Sequence, residues 1–74
     1  MADGFVHTLH ADGTWRNSVE GDAPLAGAYE TKAQAVEAGR AEARSRQTEH
    51  LIHNEDGSIA ERNSYGNDPA DRLG

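Results

Sequence analysis

Two Asp-Gly dipeptides, Asp12-Gly13 and Asp56-Gly57, each divide a pair of short strand-like runs, and this arrangement constrains the fold more than any other feature of the chain. Glycine accepts the positive φ that a tight hairpin turn demands. Phe5 to His10 mixes apolar and β-branched residues ahead of the first turn, and Thr14 to Glu20 follows it around Trp15 and Val19. With Asp12 and Gly13 as the two loop residues, His10 faces Trp15, Thr8 faces Asn17 and Val6 faces Val19. That register places Trp15 and both valines on one face. The second hairpin runs from Glu49 to Glu55, centred on Leu51 and Ile52, and returns from Ser58 to Ser64. Its turn reads as type I′.

A helix is expected between the hairpins. Gly21 to Glu30 is loop-like, with Leu25 and Tyr29 placed to fold back over a core edge. Thr31 and Gln34 have the spacing of a capping box. The run that follows is rich in Ala, Glu and Arg, with Glu37 three before Arg40 and Glu42 four before Arg46. Ala35, Val36, Gly39 and Ala43 share a face at helical spacing. Only Val36 is large, so this stripe suits a helix seated close to a sheet. Gly39 should cost about 1 kcal/mol of helix propensity against Ala. The order predicts an α+β domain of ββαββ type: a small antiparallel four-stranded sheet from two hairpins, with one helix packed on one face. The domain spans 5–65, after a flexible N-terminus at 1–4 and before a polar tail at 66–74.

The chain resembles the bacterial domain-of-unknown-function family 2188. The residues that carry the likeness are Gly13-Thr14-Trp15, Thr31-Lys32 with Ala35-Val36, Leu51-Ile52-His53 leading to Asp56-Gly57-Ser58-Ile59, and the closing Tyr65-Gly66-Asn67-Asp68-Pro69. It spans roughly residues 5 to 69. Gly39 departs from the alanine expected there. The resemblance implies a stand-alone small domain and brings no catalytic residues.

Only ten Val, Ile, Leu and Phe side chains serve 74 residues, and the formal net charge is −6. Such a composition borders on that of disordered chains, but the turns and apolar runs fall where a folded unit needs them. Small domains often need a staple. The absence of cysteine rules out a disulfide and thiolate chemistry. A second subunit remains, so a homodimer is expected, with Trp15, Gly39, Ala43 and Tyr65 as candidate interface residues. Trp15 also reads as a core residue. An unidentified protein partner is compatible with the same surface. No basic stretch followed by an apolar run opens the chain, and no apolar stretch approaches the ~20 residues of a membrane span. A cytoplasmic protein without membrane contact is expected.

Four histidines form two HxxH pairs, His7 with His10 and His50 with His53. Residues three apart on a strand point to opposite faces, so neither pair suits a metal ion as it stands. One histidine from each hairpin could converge, for example His7 with His53. Asn54, Asp56 and Gly57 match part of a calcium loop, but Ile52 and Asn63 occupy the positions of its first carboxylate and its bidentate glutamate. No carboxylate pair has the pocket that acid–base work requires. No metal, cofactor or enzymatic activity is expected. Arg40, Arg44 and Arg46 are the candidates for a nucleic-acid contact, although Glu37, Glu42 and Glu49 are interspersed with them and the overall charge is acidic. The expectation is a non-catalytic interaction module, with nucleic-acid binding as the alternative.

Overall fold

The computed structural model describes residues 4–22 and 25–65. The tail at 66–74 and the first three residues lie outside the described residues. The described residues form β1 (Val6–Ala11), β2 (Thr14–Val19), α1 (Lys32–Arg46), β3 (Glu49–His53) and β4 (Ile59–Ser64) in one sheet of order β2-β1-β3-β4.

The first hairpin has the register expected from its turn: Val6 pairs with Val19, Thr8 with Asn17 and His10 with Trp15. Asp12 and Gly13 have φ of 55° and 79°. Positive φ at both central residues is what a type I′ turn requires, and its twist matches that of the strands. The second turn is built differently. Asp56 is not left-handed, whereas Gly57 has φ 95°. The Gly57 amide donates to the Asn54 carbonyl (3.0 Å) and the Asn54 amide to that of Ser58 (2.7 Å). This is a three-residue loop with a glycine bulge rather than type I′. It draws Asn54 and Glu55 out of the strand, and the pairing with β4 shifts between Ile52 and His53.

Each hairpin is antiparallel, but β1 and β3 run parallel, so the sheet is mixed rather than wholly antiparallel. The cause lies after β2. The chain turns at Gly21 (φ 78°) and climbs back along the edge of that strand. Leu25 donates to the Asn17 carbonyl (3.1 Å), and Trp15 and Tyr29 exchange two backbone bonds of 2.8 Å. The helix therefore starts at the Trp15 end and descends, and β3 must rise beside β1.

Helix α1 opens on the expected capping box: the Gln34 amide donates to Thr31 Oγ1, and the Thr31 amide donates to the Gln34 side chain. It ends at Gln47, a left-handed residue with φ 55°. Ala35, Gly39 and Ala43 are buried, while Val36 is only half-buried. The helix lies across β1, β2 and β3 and does not reach β4. Val6, Val19 and Ala43 form one apolar cluster of the core, with Leu25 and Tyr65 packed against it, and Trp15, Ala35, Leu51 and Ile52 are buried as well. No described helix is long and apolar enough to cross a membrane.

Candidate functional site

The centre of the core is polar. Thr8 and Asn17 are cross-strand partners on the helix side of the sheet, and His50 reaches them from β3. All three are buried. Thr8 Oγ1 donates to Asn17 Oδ1 at 2.5 Å, and Asn17 Nδ2 donates to the Ala35 carbonyl at 3.1 Å. The Thr8 hydroxyl has spent its only proton, so its 2.6 Å contact with His50 Nε2 requires that nitrogen to be the donor. The bonds thus run in one direction, from β3 through β1 and β2 into the helix. His50 Nδ1 and Thr48 Oγ1 have no hydrogen-bond partner among the described residues. Burial, then the charge of Arg40, pushes the His50 pKa below its ordinary 6.5, with a smaller lowering from His7 and an opposing push from Glu61. A neutral ring fits the geometry, because a second ring proton would be a buried donor without an acceptor.

This cluster holds the helix close. A Cβ on Gly39 would lie 2.5 Å from Asn17 Oδ1, 2.6 Å from His50 Nε2 and 2.7 Å from Thr8 Oγ1. Glycine is required by this approach, which explains the departure from alanine. The cross-strand Thr8–Asn17 pairing was legible in the register. The arrival of His50 depended on the parallel pairing and was not.

The sheet face away from the helix carries a second cluster. The two HxxH pairs split as alternation demands. His10 tilts against Trp15 on the helix side, with centroids 4.9 Å apart, and Lys32 Nζ lies 5.6 Å above the Trp15 ring. His7 and His53 meet on the open face, Nδ1 of the first 2.9 Å from Nε2 of the second. His7 Nε2 contacts Glu20 at 2.5 Å, and His53 Nδ1 contacts the Gly57 carbonyl at 3.1 Å. Glu20 is a member that sequence reasoning missed, although the Val6–Val19 register was legible; it directly follows β2, on the face opposite Val19. No group of three or more histidines, aspartates or glutamates able to hold a metal ion occurs among the described residues. In the second turn, Asp56 Oδ1 accepts from both the amide and the hydroxyl of Ser58, at 2.9 and 2.7 Å.

The sheet has two unlike edges. The β2 edge is covered by the returning segment that bonds to Asn17 and Trp15. The β4 edge has no neighbouring strand among the described residues, and nearly all of β4 is exposed. Ile59, 57 % exposed, is the one bare large apolar side chain among the described residues. Of the four residues expected at an interface, Trp15, Gly39 and Ala43 are buried within this protomer and Tyr65 packs on its core. Arg40 pairs with Glu37, and Arg46 pairs with Glu42 while lying 3.8 Å from Asp22. Arg44 is exposed in the last turn of the helix.

The family of uncharacterized proteins conserved in bacteria, DUF2188, matches residues 6–65 of this chain. The chain belongs to that family. The match begins at β1 and ends one residue after β4, so the family unit is the ββαββ domain itself. No curated protein and no solved structure matches the chain.

Proposed function

We propose that this DUF2188 domain is a non-catalytic protein-interaction module that works through the exposed side of β4, with a second copy of the chain as its first partner. The observation that supports this reading is the asymmetry of the sheet edges. One edge is sealed by the chain's own backbone. The other presents a six-residue strand, Ile59–Ser64, which opens on exposed Ile59 and lies beyond the reach of the helix. An open edge offers unpaired backbone donors and acceptors to an added strand. The buried polar centre supports the same reading, because it leaves little apolar area to stabilise an isolated protomer. The helix arginines are engaged largely by acidic neighbours, which leaves less positive surface for phosphate.

Light scattering on the full chain at micromolar concentration tests this. The expected mass is twice the protomer's 8.0 kDa, falling to one protomer in Ile59→Lys, whose folded spectrum is unchanged. A wild-type mass of one protomer at every concentration removes the self-association.

A further inference from the structure

Three contacts cross the open face in a line: Glu20 Oε2 to His7 Nε2, His7 Nδ1 to His53 Nε2, and His53 Nδ1 to the Gly57 carbonyl. Each contact needs one hydrogen. The carbonyl can only accept, so His53 Nδ1 is protonated. The nitrogen–nitrogen contact needs a second proton between its two atoms, and the Glu20 contact needs a third. Two neutral imidazoles beside an ionised carboxylate supply only two. We propose that Glu20, His7 and His53 form a proton-binding site that takes up one proton beyond this complement and so locks the two hairpins together on the open face.

The geometry favours a proton over a metal ion. The ring centroids are 5.1 Å apart and the facing nitrogens 2.9 Å, a difference close to two imidazole radii, and the rings are inclined by 25°. The nitrogens therefore face each other head on, as a shared N–H···N contact requires. A metal on that line, at ~2.0–2.1 Å from each nitrogen, would hold them about 4 Å apart. Without the third proton, two lone pairs oppose each other across the contact. The rings then part, or one flanking bond is given up.

The charged surroundings are few. Glu20 directly follows β2, and Arg16 lies on the same face of that strand nearer the first turn. On β3, Glu49 shares the face and is engaged by Arg62 of β4. His50 lies behind, on the helix side, with Arg40 of α1 and Glu61 of β4 acting on it. Glu20 is thus the one carboxylate among the described residues in direct contact with the pair. The parallel ladder between β1 and β3 has three register pairs, Val6 with His50, His7 with Leu51 and Thr8 with Ile52. A link from His7 to His53 adds materially to so short a junction. The site is complete in its three-proton state and opens once the third proton leaves.

The test is a titration of the imidazole nitrogens by NMR on the full chain between pH 5 and 8, with His10 as the internal control. His7 and His53 are expected to share one coupled step. In Glu20→Gln that step moves to lower pH by a several-fold loss of proton affinity. In His7→Gln the His53 signals move likewise, while the His10 curve stays in place. Independent curves for His7 and His53, unmoved by Glu20→Gln, overturn the proposal. A shared step that disappears after treatment with a chelator also overturns it, by giving the site to a metal.

Discussion

Gly39 occupies a position where a single methyl group would strike three polar atoms. Alanine there gains about 1 kcal/mol of helix propensity. It also forces the helix off Asn17, His50 and Thr8, whose hydrogen bonds depend on the present spacing. Overpacking of this kind typically costs about 1–3 kcal/mol, and these partners are directional, so Gly39→Ala is expected to lower stability in urea unfolding despite its better propensity. An unchanged or raised midpoint would show that the helix can lift without loss. His50 carries the other prediction at this scale. Its folded pKa is depressed by burial, so the unfolded state binds more protons below pH 6.5. The His50 contribution is undiminished above that value and is lost as the pH falls through it. In His50→Gln, where the side-chain amide can still donate to Thr8, unfolding free energies measured from pH 7.5 down to 5 should lose this acid decline.

The elements were more legible than the polar contacts inside them. Turn chemistry and the capping box follow from a few local residues, which is why the hairpins, the helix and the register of β1 on β2 could be read from Asp12-Gly13 and Thr31–Gln34. The parallel junction could not, because it is set by the path of the segment between β2 and α1, and Gly21 does not announce a climb back to Trp15. The second turn was misread for a related reason. Asp-Gly fits both a type I′ loop and a glycine bulge, and Ser58, by binding Asp56 twice, favours the bulge. The Ser58 hydroxyl, followed by its amide, holds the Asp56 carboxyl below the usual aspartate range. Ser58→Ala should therefore raise the Asp56 titration midpoint, followed by carboxyl-carbon NMR, and an unmoved midpoint would contradict the role of the hydroxyl. At the far end of the helix, Gln47 holds a left-handed conformation that glycine adopts without penalty. Gln47→Gly is expected to stabilise the domain by about 1 kcal/mol, the left-handed penalty of an L-residue less the added unfolded-state entropy of glycine, read as a higher midpoint in thermal unfolding.

For the whole molecule, the order β2-β1-β3-β4 places the paired hairpins under one helix that covers three strands and leaves the fourth outside. The side chains proposed from sequence for an interface are mostly those that hold this arrangement together. Trp15, Gly39 and Ala43 are turned inward because a helix poor in large residues must sit close to bury anything. The surface proposed for contact is the β4 edge, and no short motif marked it, since Ile59–Ser64 is outermost only once β3 has paired with β1. Amide hydrogen exchange along β4, measured at two protein concentrations a hundredfold apart, tests the proposed edge contact most directly. The β4 amides that do not bond to β3 should be protected in the concentrated sample and lose that protection on dilution, while those of β1 do not change. Equal and rapid exchange of these β4 amides at both concentrations would contradict self-association through this edge.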